Sequence, residues 1–177
     1  MSNMKRFHLA FTAALAVAVV VLGILYWRAG ATEGAPPVHA AMTLTPEDEA
    51  AVRGLVSEFV KTWNSHDMKA MHDLDTEDVH WITVSASHWR GKATVYKGHD
   101  QVHRVLFAKT SLTVETVEVR SIAPDVAVAV ATLKGGPAKM PGLTIPETRT
   151  RGSFVAVKRD GVWKFVHFQN TIINEEH

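Results

Sequence analysis

Ser153-Phe-Val-Ala-Val-Lys-Arg-Asp-Gly-Val-Trp-Lys-Phe-Val-His-Phe-Gln-Asn-Thr171 is the stretch that decides the fold. Two strand-like runs flank Asp160-Gly161, a pair suited to positive φ at both centres of a type I′ turn, so the segment reads as a β-hairpin. Its second arm opens on Trp163 and Phe165 and closes on His167, Gln169, Asn170 and Thr171. Polar groups at the end of an aromatic strand must find partners, because an unbonded buried amide or imidazole costs several kcal/mol. The hairpin therefore points to a lined space with polar groups at one end. Strand alternation sets His167, Gln169 and Thr171 on one side and Asn170 on the other, without saying which side faces inward.

Upstream, the pattern is helical first and β afterwards. Thr45-Pro46-Glu47-Asp48 carries a hydroxyl cap, a first-turn proline and first-turn acids. Val52, Leu55, Val56, Phe59, Val60 and Trp63 then recur at spacings of three and four, which predicts an amphipathic helix of about five turns. Asn64-Ser65-His66 breaks it, and Asp67 is placed to cap a shorter helix with Met68, Met71 and Leu74. Val79–Val84 alternates as a short strand, and Gly98–Phe107 returns to helical spacing with His99, Val102, His103 and Leu106 on one face. Leu112 and Val114 are out of phase with Val117 and Val119, which predicts a β-bulge or bend near Glu115-Thr116. Val126–Leu133 is a nearly continuous apolar run, the pattern of a strand buried on both faces. Lys134–Pro146 reads as a long loop. The sum is an α+β domain in which a curved antiparallel sheet wraps N-terminal helices and leaves a pocket between the two layers.

The first 40 residues are a different region. Leu9–Trp27 is free of charge, follows Lys5 and Arg6, and ends at Arg28. At 1.5 Å per residue it is long enough to cross a hydrocarbon core, and the positive flank favours an inside N-terminus. Ala29-Gly30-Ala31 and Val38-His39-Ala40 also offer small residues at a cleavage spacing, so a signal segment is the alternative. The expected organisation is an anchor or signal segment at 1–28, a flexible Ala/Gly/Pro tether at 29–44 and a folded domain at 45–177. Both alternatives place the domain on the extracytoplasmic side, membrane-anchored or secreted. The chain has a net charge of +1 and no cysteine. Near-neutral charge without a basic cluster argues against nucleic acid as a partner. Absence of cysteine excludes disulfides, thiolate metal sites and a cysteine nucleophile.

Several motifs together resemble a known family. Phe59-Val-Lys-Thr-Trp-Asn-Ser-His-Asp67, His88-Trp-Arg-Gly91, the helix ending in His103-Arg104, Pro124-Asp-Val-Ala-Val128 and Arg159-Asp-Gly-Val-Trp163 occur in the order found in SnoaL-like domains. The chain is most similar to the SgcJ/EcaC group of the nuclear transport factor 2-like superfamily. The resemblance covers about residues 45–172 and implies a cone-shaped α+β barrel with a deep cavity and homodimers formed through the sheet. Members include isomerases, cyclases, hydrolases, dehydratases and domains without chemistry, so fold alone does not assign function. The group commonly ends in His-Asn-Thr, whereas this chain has Gln169-Asn170-Thr171 with His167 two positions earlier.

The candidate site follows from both readings. His103 and His167 are the candidate proton carriers; imidazoles titrate near neutral pH, and no nucleotide or phosphate motif is present, so cofactor-free acid/base chemistry is expected. His99 and His103 have the i, i+4 spacing of two ligands on one helix turn, but no third ligand is evident, and the expectation is that no metal is bound, with one histidine exposed and one facing the pocket. Trp63, Trp81, Trp89, Gln169, Asn170 and Thr171 are candidate ligand contacts, although each of these tryptophans, like Trp163, divides evenly between pocket wall and core. Arg151 falls where the family pattern tends to have an arginine, which makes pocket or dimer pairing as plausible as plain exposure. Asp67 reads as a helix cap before it reads as a general base. Strands 126–133 and 162–172 hold no Asp or Glu, so the carboxylate of steroid isomerase chemistry is missing. The expected ligand is a small, largely apolar molecule. The rival class is a non-catalytic dimeric binding or assembly module tethered to the membrane.

Overall fold

The computed structural model describes residues 43–174, with Met140 placed only in its backbone. The Leu9–Trp27 run and the expected tether up to residue 42 lie outside the described residues. Among the described residues no helix is long and apolar enough to cross a membrane.

Three helices precede most of the sheet. Helix α1 (Pro46–Asn64) starts where the cap predicts, with Thr45 Oγ1 accepting the Asp48 N–H at 3.1 Å. Its buried stripe is Val52, Val56 and Phe59, the i, i+4, i+7 positions of one face. Helix α2 (Met68–Asp73) is capped by Asp67, whose Oδ1 accepts the Ala70 N–H at 2.9 Å. Helix α3 (Lys92–Val105) starts six residues earlier than the spacing predicts, because Gly91 at φ 79 turns the chain into it. Its inward residues are Val95, His99 and His103.

The eight strands are β1 (Asp75–Ile82), β2 (His88–Arg90), β3 (Leu112–Ala123), β4 (Val126–Gly135), β5 (Ala138–Met140), β6 (Leu143–Ile145), β7 (Thr148–Arg159) and β8 (Val162–Ile172). Six form one sheet in the order β2-β1-β8-β7-β4-β3; β5 and β6 pair separately inside the segment expected to be a loop. The expected all-antiparallel sheet is corrected here. β1 lies parallel to β8, so the sheet is mixed. The two strands are far apart in the chain, so no tight turn forces them antiparallel; β8 lies between β1 and β7, and the Phe165 N–H donates to the Leu74 carbonyl at 2.9 Å.

The register explains the curvature and the facing of side chains. The bend expected near Glu115 is present as a register shift between Val114 and Thr116 against β4. The turn at Asp160-Gly161 has φ of 52 and 78, as a type I′ turn requires. Another irregularity was not foreseen: Val155 pairs with His167 but Ala156 with Phe165, so Val166 is an extra residue in β8. Trp163 and Phe165 point inward, and after the bulge Phe168 and Asn170 take over that face. His167, Gln169 and Thr171 are left on the outer one.

The core lies between α1 and the inner sheet face. On β4, Ala127, Ala129 and Ala131 are fully buried there, while Val126, Val128 and Val130 are half-buried on the outer face. The strand expected to be buried on both faces is thus buried fully on one. Small residues opposite α1 leave room for rings: Phe59 meets Phe154 at 5.3 Å and Phe168 at 5.9 Å, and Trp81 meets Phe168 at 4.2 Å between centroids. Gly152 supports this packing, since a Cβ there would sit 3.0 Å from the Phe168 ring and 3.2 Å from that of Phe154. Asp48 ties the helix to the hairpin, accepting from Lys158 Nζ at 2.7 Å and Trp163 Nε1 at 2.8 Å. Trp163 is a core residue with its indole N–H bonded.

Candidate functional site

Helices α1, α2 and α3 converge on β1 with four histidines among aromatic rings. Helix periodicity puts His99 and His103 on one face of α3, one turn apart, with ring centroids 6.5 Å apart. Both are buried, at 5% and 3% exposure, so the expectation of one exposed histidine is corrected. His99 faces Trp81 at 4.8 Å, Trp89 at 5.1 Å and Trp63 at 6.3 Å, all edge to face. His103 meets Trp63 at 4.2 Å.

Each of the two has a second imidazole behind it. His99 Nδ1 lies 2.9 Å from His72 Nε2, and His72 Nδ1 lies 2.7 Å from Asp75 Oδ2. This makes a buried carboxylate–imidazole–imidazole chain in which His72 and Asp75 are each 1% exposed. With His72 donating from Nδ1 to the carboxylate, its Nε2 accepts from His99 Nδ1, leaving His99 Nε2 as an acceptor. His103 Nδ1 lies 3.0 Å from Nδ1 of His66, which is exposed. One of those two nitrogens carries the proton and the other accepts it.

Burial sets the charge state. Desolvation, then the nearby His72 and His103, hold His99 well below the ordinary imidazole range against a bond to the Val95 carbonyl. Desolvation, then His66 and His72, lower His103 to about 4, with Asp100 opposing. Both rings are therefore neutral at pH 7 and able to accept a proton. Burial pushes the Asp75 carboxyl up, against the pull of His72, Lys92 and Lys164.

Trp63 Nε1 and His103 Nε2 are buried without a hydrogen-bond partner, and so is Asn170 Oδ1 on the inner face of β8. Native structures leave few such groups, and each calls for an explanation. Trp63 comes from the last turn of α1, His103 from the last turns of α3, and Asn170 from the end of β8. An open depression of about 280 Å³ lined by Thr76, Val157, Arg159, Asp160, Val162 and Lys164 shares no residue with this set.

The sequence-predicted residues fall into two groups. His103, Trp63, Trp81, Trp89 and Asn170 face the inner side, with Trp81 2% exposed and in the core. His167, Gln169, Thr171 and Arg151 sit on the outer face: His167 pairs with His80 of β1, and Arg151 pairs with Thr132 and Thr171. His103 and His167 are thus on opposite sides of the sheet and do not form a pair. His167 keeps company with His80 and His88; desolvation first, then those two rings, lower its pKa. Sequence reasoning missed His66, His72 and Asp75. The readable signal was His72-x-x-Asp75, an i, i+3 imidazole–carboxylate pair at a helix exit. Among the described residues no group of three or more His, Cys, Asp or Glu is arranged to hold a metal ion.

A curved mixed sheet over a long helix, with polar groups in an aromatic interior, defines an α+β protein of nuclear transport factor 2-like, cystatin-like fold. Residues 52–174 match the model of the SnoaL-like domain, and the chain belongs to that family. A protein with a cystatin-like fold from Caulobacter vibrioides is 32% identical, with a TM-score of 0.70 over 73% of this chain and 92% of that one. A hexachlorocyclohexane dehydrochlorinase (LinA) Type2 is 15% identical, with a TM-score of 0.64 over 74% and 92%. A ketosteroid isomerase-like protein from Erwinia carotovora atroseptica is 16% identical, with a TM-score of 0.63 over 73% and 99%. The last two similarities show the fold alone. No curated protein matched the chain.

Proposed function

We propose that this SnoaL-like domain binds a small, largely apolar molecule against its inner aromatic face and moves a proton on it without a cofactor. The observation that carries the reading is the pair of buried, unpartnered atoms Trp63 Nε1 and His103 Nε2 on rings 4.2 Å apart. A ligand group bonded there would remove a desolvation cost of about 1–3 kcal/mol per atom. Neutral His103, with Nε2 open to a ligand, suits a reaction in which that nitrogen takes a proton and either returns it, as in an isomerisation, or passes it on, as in an elimination. The solved dehydrochlorinase and isomerase-like neighbours are consistent with such chemistry on this scaffold. The apolar run Leu9–Trp27 supports a site on the extracytoplasmic side of a membrane.

Ligand screening by thermal shift tests this. A small apolar molecule with a carbonyl or hydroxyl group should stabilise the protein by about 2.7 kcal/mol at a hundred times its Kd, and Trp63→Phe or His103→Ala should weaken the effect. The second reading, a non-catalytic dimeric module, is favoured by Val126, Val128, Val130, Val155 and Val157, which lie half-buried on the outer sheet face. Failure of every ligand together with a stable dimer and a captured membrane partner would select it.

A further inference from the structure

The two inner histidines differ in what stands behind them. His99 backs onto a sealed chain that ends in the buried Asp75, whereas His103 backs onto His66, which is exposed. We propose that His66 is the proton outlet of the site, a positioning residue that couples His103 to bulk water while His99 stays insulated. The inference rests on the acid/base reading above and assigns a path to it.

The geometry supports a complete relay. His103 Nε2 is buried and unpartnered beside Trp63, and the Nδ1 atoms of His103 and His66 are 3.0 Å apart. When Nε2 takes a proton from a ligand, the bonding pair stays on the ligand. The Nδ1 proton of His103 passes to His66 Nδ1, and His66 releases its Nε2 proton to water. Both rings end neutral with their tautomers exchanged, and one proton has left the site. His66 is held for this at φ 54, in the left-handed region that few side-chain-bearing residues adopt. The titratable groups that act on His103 are His66, His72 and Asp100; Asp100 is itself held by Arg104 at 2.9 Å. Their influence sets how readily the ring charges; among the described residues His66 is the one hydrogen-bonded to His103 and exposed to water.

The left-handed backbone also supplies clean variants. Asn favours that conformation and keeps a hydrogen-bonding side chain but cannot pass a proton through itself; Gly relieves the strain and opens a gap. The test is 15N-histidine NMR on the full chain without ligand, reading exchange of the His103 ring proton with water. His66→Asn should slow that exchange at least tenfold, and imidazole added to His66→Gly should restore it. Exchange unchanged in His66→Asn, or a His66→Gly protein that does not respond to imidazole, would overturn the outlet. Because ligand screening is done on the wild-type chain, a failed screen rejects the proposed function without touching this measurement.

Discussion

His72 Nδ1 stands 2.7 Å from Asp75 Oδ2, with both side chains 1% exposed, at the junction where α2 becomes β1. A buried charged or half-charged pair is costly to assemble, so its presence is weak evidence for stability, yet removing one member strands the other without water. Asp75→Ala should therefore lower unfolding free energy by about 1–3 kcal/mol in chemical denaturation, because His72 Nδ1–H is left buried without an acceptor. The double variant His72→Phe with Asp75→Ala should lose less than the sum of the single losses, with a coupling of about 0.5–3 kcal/mol. Additive losses would show that the two groups do not act as a unit.

The depressed pKa values of His99 and His103 give stability a defined pH dependence. Their folded values lie below the ordinary 6.5, so below that pH the unfolded chain binds more protons, and stability falls with acid. The window for His103 runs from about 6.5 down to about 4, with a slope of at most ~1.4 kcal/mol per pH unit for each uncompensated proton. Asp75 acts in the opposite direction at the acid end. Its raised carboxyl binds a proton in the folded state before the unfolded chain does, which offsets part of the loss. Urea midpoints measured from pH 7 to pH 4 should decline, and His103→Phe should flatten the curve.

Elements with local causes were legible in the sequence. The Thr45 cap, the α1 stripe, the Asp67 cap, the bend near Glu115 and the Asp160-Gly161 turn are each set by a few adjacent residues, and all five are present. The parallel seating of β1 beside β8 is a non-local pairing, so no short-range pattern announces it. The facing of the last strand turned on one inserted residue, Val166, because a shift of one flips every later side chain. Sequence therefore offered His167 as a partner for His103, while the fold spent that position on the outer face. His66, His72 and Asp75 reach the site only through tertiary packing. His72 meets His99 from another helix, and His66 sits in what reads along the chain as a helix break.

Gly98 on α3 is needed for close approach rather than for its backbone freedom. A Cβ there would lie 2.8–3.0 Å from the outer edge of the Trp89 ring. In an exposed helix Gly→Ala gains about 1 kcal/mol, but here the methyl must displace the ring that packs on His99 at 5.1 Å. Gly98→Ala should therefore be neutral or destabilising, up to about 2 kcal/mol, and should shift the fluorescence of Trp89. A gain of a full kcal/mol would mean that Trp89 moves without cost.

Asn64 holds the last turn of α1 to the start of β3 as a strand would. Its Nδ2 donates to the Leu112 carbonyl at 2.8 Å, and the Leu112 N–H donates to its Oδ1 at 2.7 Å. The side-chain amide thus copies a backbone peptide and satisfies both polar groups of Leu112, a buried residue. It also fixes the helix end that carries Trp63 and the turn that carries His66. Asn64→Ala breaks both bonds, and at about 1 kcal/mol each should cost about 2 kcal/mol. Lys61→Ala, one turn earlier, loses only a surface ion pair with Glu58 and should change stability by no more than about 0.5 kcal/mol. The local consequence separates this from simple loosening of the helix. In Asn64→Ala the ring signals of His66 and His103 should broaden in NMR spectra, whereas those of His72 and His99, anchored on Asp75, should keep their wild-type positions.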